Sequence, residues 1–288
     1  MPNILEIRNL SKDYGDFKLK SVSFDLPKGT IMGLIGPNGA GKTTVIKLIL
    51  NLVRKDAGAI RIFGLDNLAD EAAVKSRIGF VHDTPLFYER LTLKSIKAQV
   101  APFYKNWDEN LFQRLLREFA LPPRQIFARL SRGMKMKFAL ALALSHEADL
   151  ILLDEPTSGL DPVFRRELLA KLSGIIQDEN KSILFSTHIT SDLERIADYI
   201  TFIRDGEVVF SSAKDELLAN GGVVKGGNDL LTEETAKFFK GLRRREFGFE
   251  ALTDDSAAVR RRFGENVVID KVTLEDIMFF MTRGDRRV

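Results

Sequence analysis

The chain has 288 residues, 44% of them hydrophobic and 29% charged, and a formal net charge of +3. That make-up suits a soluble globular protein of one or two domains, and so small a charge gives no footing for a nucleic-acid partner. The absence of cysteine excludes disulfides, thiolate catalysis and zinc–thiolate centres. The first residues lack the basic start and apolar stretch of a secretory leader, and no apolar run approaches the ~20 residues of a bilayer span. The expectation is a cytoplasmic chain that meets a membrane only through a partner.

Residues 3–35 read as strands, because Ile4, Leu5 and Ile7, then Val22, Phe24 and Leu26, alternate with polar residues. Residues 30–35 are a short apolar run suited to a buried strand. Gly36, Pro37, Asn38, Gly39, Ala40, Gly41, Lys42 and Thr43 come next and fit G-x-x-x-x-G-K-[ST], a phosphate-cradling loop. Its glycines let the backbone curl so that successive N–H groups converge on phosphate oxygens. Lys42 can reach the terminal phosphates, and the Thr43 hydroxyl can ligate Mg2+. The predicted helix runs on from Thr44 to Leu50, and its N-terminus adds positive partial charge. A chance glycine-rich turn is the alternative; the strand before and the helix after stand against it.

Further along, residues 59–64 and 78–81 read as strands and residues 92–119 as mostly helix, ended by Pro122-Pro123. A helix over 130–146 leads to a strand at 150–153, and the alternation continues to about residue 210. That pattern predicts a parallel-sheet α/β core. Gly221-Gly222 and Gly226-Gly227 mark a change of texture. Beyond them the sequence predicts a helix near 233–240, a strand over 245–252, a helix near 255–262 and a strand at 267–269. In the final helix Leu274, Ile277, Met278 and Met281 share one apolar face. The arginine runs at 243–245 and 260–262 lie among acidic residues and read as solvated faces.

The strand at 150–153 ends in Asp154-Glu155. A carboxylate at a strand tip can hold Mg2+ opposite Thr43, and the next can polarise an attacking water as a general base. Such a pair often serves instead as a helix N-cap. The following Pro156-Thr157-Ser158-Gly159-Leu160-Asp161 weighs against that reading.

Together these stretches resemble the ATP-binding subunits of ABC transporters over about residues 3–215, with the motifs in the family's order. The resemblance rests also on Leu130-Ser131-Arg132-Gly133-Met134 as the signature stretch and Ser158-Gly159-Leu160-Asp161 as the D-loop. Ser186-Thr187-His188 adds the switch histidine. It implies a P-loop NTPase α/β fold with a β-rich N-terminal subdomain and a helical signature subdomain at about 84–148; beyond it, the element pattern after Gly226-Gly227 reads as a small C-terminal α+β appendage. The predicted boundary puts the ATP-binding domain at 1–215 and the accessory domain at 216–288. Implied site residues are Tyr14 stacking on adenine, Asp83 in the usual glutamine's place as a ligand of Mg2+ or its water, and His188 at the γ-phosphate.

Arg132 and Met134 depart from the usual Leu-Ser-Gly-Gly-Gln, while Ser131 and Gly133 keep a hydroxyl and a helix-start N–H for phosphate. These variants, with residues 134–137, 162–165 and 273–277, resemble a bacterial subset serving drug, lantibiotic and antimicrobial-peptide exporters. The resemblance further implies ATP and Mg2+ as cofactors, Asp161 among the nucleotide-binding residues, and a head-to-tail pair in which a second subunit's Ser131 and Gly133 close each site. A homodimer is natural for such a two-fold arrangement. An integral-membrane permease would hold the pair at the inner face of the cell membrane. A chromosome or repair ATPase would carry a coiled coil between Lys42 and Asp154, and a ribosome factor usually carries two cassettes. A non-transport regulatory ATPase of the same family remains the alternative.

Overall fold

A computed structural model of the chain describes residues 2–85 and 87–283. The chain divides into two compact units, one of Met1–His188 with Thr201–Ser211, the other of Ile189–Ile200 with Ser212–Val288.

The first unit opens on two long strands, β1 (Asn3–Asp13) and β2 (Lys18–Pro27), followed by the short buried β3 (Ile31–Ile35) and α1 (Lys42–Ile49). Then come β4 (Ala57–Ile62), β5 (Leu65–Asp66), α2 (Glu71–Lys75) and β6 (Ile78–Val81). One antiparallel sheet has the order β2-β1-β4-β5. Its alternating apolar residues (Leu5, Ile7, Val22, Phe24, Leu26) are buried, as a period of two requires.

Three helices follow: α3 (Leu93–Val100), α4 (Glu109–Glu118) and α5 (Arg132–Leu144). The stretch read as one helix over 92–119 is broken between α3 and α4. Pro102 sits in a 3-10 turn at Ala101–Phe103, and Asp108 restarts the chain by accepting the Leu111 N–H at 2.9 Å. Phe127 and Phe138 are fully buried here, and Phe87 packs edge-on against both with centroids 5.4 and 5.7 Å away.

The remaining elements of the central sheet are β7 (Leu150–Asp154), α6 (Pro162–Ile175), β8 (Ser182–Thr187), β9 (Tyr199–Arg204) and β10 (Glu207–Ala213), with α7 (Thr190–Ile196) between β8 and β9. The sheet order is β10-β9-β3-β8-β7-β6, and β3, β8, β7 and β6 run parallel. β3, β7 and β8 are buried at every residue, which explains their unbroken apolar runs. Four parallel strands bring their C-terminal ends to one edge, where ligands of such sheets sit.

In the second unit β11 (Gly222–Gly226), β12 (Gly241–Arg245), β13 (Gly248–Thr253) and β14 (Val267–Asp270) form an antiparallel sheet ordered β12-β13-β11-β14. The helices are α8 (Lys214–Asn220), α9 (Ser256–Phe263) and α10 (Leu274–Arg283). Val259 and Phe263 of α9 pack with Val224, Leu242, Phe249 and Ala251 into one core. The helix expected at 233–240 is a single 3-10 turn, Thr235–Phe238. The strand expected over 245–252 is a hairpin with Glu246-Phe247 as its loop, Arg245 pairing with Gly248. That loop lacks the Asn-Gly or Asp-Gly that advertises a tight turn in sequence. On α10, Leu274 and Ile277 are buried as the spacing requires, joined by Phe280, while Met278 and Met281 are only partly covered.

Candidate functional site

The phosphate loop leaves β3 and enters α1 through Gly41, which has a φ of +112°. No side chain caps α1, so its first N–H groups are offered to whatever enters the cleft. Gly36 is required for a different reason. A Cβ there would lie 2.1 Å from the Ile203 carbonyl oxygen of β9. Gly36→Ala should therefore cost at least about 2 kcal/mol in urea unfolding. Gly39→Ala meets nothing within 4 Å but has a φ of +79°, and should cost about 1 kcal/mol. Equal losses in the two variants would contradict this account.

Sheet register assembles the rest. Ile35 of β3 lies beside Thr187 of β8, and Ser186 lies beside Asp154 of β7. Ser186 Oγ donates to Asp154 Oδ1 at 2.6 Å, and Thr43 Oγ1 donates to the same oxygen at 3.1 Å. Asp154 is fully buried, yet its Oδ2 has no hydrogen-bond partner. A buried carboxylate oxygen without a donor is costly, and a cation at this position relieves it.

Glu155 turns sharply out of β7 with a φ of +49°, a conformation costing about 1–3 kcal/mol for a residue with a Cβ. Its N–H donates to the Ser186 carbonyl at 3.0 Å, which holds the turn. The turn aims its carboxylate at two groups. Glu155 Oε1 is 3.4 Å from Lys42 Nζ, and Oε2 is 2.8 Å from His188 Nδ1. Lys42 is itself buried, its ammonium donating to the carbonyls of Gly36 at 2.9 Å and Pro37 at 3.2 Å. Entering phosphate would take over from Glu155 as the counter-charge of this lysine.

The cleft so formed is lined by Asn38, Gly39, Ala40, Gly41, Lys42, Thr43 and Thr44 of the loop, and by Asp83, Glu155 and His188. The uncapped helix, the buried lysine and the orphaned Asp154 oxygen fit a nucleotide triphosphate with Mg2+. Asp83 and Asp154 present ligand atoms within 4.8 Å of each other and Thr43 Oγ1 lies 3.1 Å from Asp154, so these three would hold the ion.

The expected residues outside this lining are Gly36, Pro37 and the buried Asp154, and further off Ser131, Gly133, Asp161 and Tyr14. Ser131 is exposed and caps α5 by accepting the Met134 N–H at 3.2 Å. Gly133 follows in the first turn of α5. Asp161 caps α6, and the N–H groups of Phe164 and Val163 hold its carboxylate below the usual range. Tyr14 also stands outside, 47% exposed, with the Lys12 ammonium 5.6 Å from its ring centre. Phe17, three residues on, lines the cleft instead. Phe17 carries no sequence signal for the cleft, while Arg132, Ser158 and Ser186 stand in the signature, D-loop and switch stretches without a site role of their own. His82, Asp83 and Asp154 present ligand atoms within 4.8 Å of one another, although no sequence motif singles out His82.

A family model described as ABC transporter matches residues 19–158. The bacitracin transport ATP-binding protein BcrA of Enterococcus faecalis is 34% identical over 73% of this chain and 69% of its own length. The lantibiotic transport ATP-binding protein SrtF of Streptococcus pyogenes is 33% identical over 74% and 92% respectively. A solved structure of an ATP-binding subunit of an ABC transporter superposes with a TM-score of 0.69 at 33% identity, covering 75% of this chain and 92% of that one. The chain belongs to the ATP-binding subunits of ABC transporters. It is an ATPase that uses ATP with Mg2+ to drive a membrane transporter.

Proposed function

We propose that this chain powers an exporter of peptide antibiotics or similar amphipathic compounds, working as a homodimer on a separate permease at the inner face of the cell membrane. The observation that carries the ATPase part is the cleft in which Lys42, Asp154, Glu155 and His188 converge. Relatives named for bacitracin and lantibiotic transport support the cargo class. Among the described residues no helix is long and apolar enough to cross a membrane. Transport therefore calls for a partner.

In this reading Lys42 and the N-terminus of α1 bind the β- and γ-phosphates, and Mg2+ neutralises charge on them. Glu155 accepts a proton from the attacking water, and His188 holds the Glu155 carboxylate in line. Ser131, Gly133 and Asp161 are free of their own cleft and serve the partner's. ATP would close the pair and hydrolysis release it, a population shift that the permease follows. ATP-dependent uptake of labelled bacitracin into inverted vesicles carrying this chain and its permease tests the whole; uptake without ATP would refute it.

The permease contact is proposed on the segment from Pro85 to Arg90, which follows Asp83 closely in the chain and so offers a short path to the nucleotide; Pro85 and Phe87 also line a groove of about 400 Å³ with Phe80, Val100 and Tyr104. Leu86 of this segment lies outside the described residues. Phe87 and Tyr88 part company: Phe87 packs inward on two rings, while Tyr88 is 74% exposed. Tyr88→Ala should leave the isolated chain's stability within about 0.5 kcal/mol and abolish copurification with the permease. Phe87→Ala should instead cost about 2 kcal/mol of stability. Full copurification of the Tyr88 variant would remove its anchor role.

A further inference from the structure

His82 follows the last residue of β6, and the register that pairs Val81 with Leu153 sets it beside Asp154. His82, Asp83 and Asp154 each offer one ligand atom, all within 4.8 Å of one another. Ligands about 2.1 Å from one ion lie roughly 3 Å apart when adjacent and about 4.2 Å when opposed, so a small movement closes this set.

One feature points to a cation, and a second is compatible with it. Asp154 is fully buried, and its Oδ2 has no donor, because both neighbouring hydroxyls serve Oδ1. Separately, His82 Nδ1 and Asp83 Oδ1 touch, and both accept the Thr84 N–H, at 3.2 and 2.7 Å. A proton on the imidazole makes this an ion pair, and a metal ion bound to both groups would take the proton's place. The edge-on ring of Phe80, 5.9 Å away, helps fix the imidazole.

The imidazole changes which metal fits. Mg2+ is a hard ion that prefers oxygen, whereas a nitrogen ligand favours first-row transition ions. We propose that His82, Asp83 and Asp154 form a mixed nitrogen–oxygen site that takes a divalent transition cation directly, before nucleotide arrives. The inference rests on the reading of this cleft as the nucleotide site, since it shares Asp154 with it, but it does not require ATP to be bound.

The test uses the full chain and Mn2+ alone. Pulsed EPR should show a directly bound nitrogen, and labelling the histidines with 15N should change that coupling, which needs no variant to fold. The coupling should persist in His188→Gln and vanish in His82→Gln. His82→Gln should also weaken Mn2+ binding about tenfold while changing Mg2+ competition less than about twofold. An oxygen-only signal in the wild type, or loss of coupling only in His188→Gln, would overturn the proposal. Calorimetry of Mg-ATP on the same preparations separates the two readings. Tight Mg-ATP binding without nitrogen coupling sinks only this inference, whereas coupling without Mg-ATP binding upholds it and sinks the nucleotide site.

Discussion

Glu155→Gln is expected to lower ATP turnover at least about 100-fold, the scale of a lost general base, while ATP still binds. The amide keeps the shape of the side chain but no longer takes a proton from water. It also no longer competes with phosphate for the Lys42 ammonium, which lies 3.4 Å from Glu155 Oε1. ATP affinity measured by calorimetry should therefore hold or rise. Turnover near wild type would remove Glu155 from the chemistry. A parallel loss of affinity would mean that the carboxylate mainly holds Lys42 in place.

The second large effect concerns how two chains share a site. Ser131→Arg and Lys42→Ala should each inactivate a homodimer, the first by blocking the partner's cleft, the second by removing a phosphate ligand. Mixed in equal amounts, they should recover about a quarter of wild-type activity: half the dimers are mixed, and each has one intact site. The exposed position of Ser131, outside its own chain's cleft lining, is what makes the arrangement possible. No recovery, with mixed dimers demonstrated by native mass spectrometry, would argue against shared sites or show that two intact sites must fire together.

Several parts of this site are legible because they are local. The loop from Gly36 to Thr43 carries its own geometry within eight positions: glycines where the backbone turns, a lysine and a hydroxyl where α1 begins. Asp154 and Glu155 end an apolar strand, and strand ends reach the sheet edge in any parallel α/β fold. Helix α5, predicted over 130–146, begins where Ser131 accepts the Met134 N–H three residues on. Such signals need only the covalent reach of a few residues.

What escaped the sequence depends on neighbours distant in the chain. Ser186 reads as one residue of a strand until the order β3-β8-β7 sets it between the phosphate loop and Asp154. His82 reads as an isolated histidine until β6 pairs with β7 and brings it beside the same carboxylate. Tyr14 and Phe17 share one turn, and only its folded course puts Phe17 against the cleft. Phe87 and Tyr88 are adjacent aromatics with equal claims as anchors, and the packing of Phe127 and Phe138 takes only the first inward. The reactive groups and the local turns that present them are written in short stretches of the chain. Which of those groups meet is settled in the folded sheet, because strand order and register are set by the packing of the whole sheet and not by any one segment.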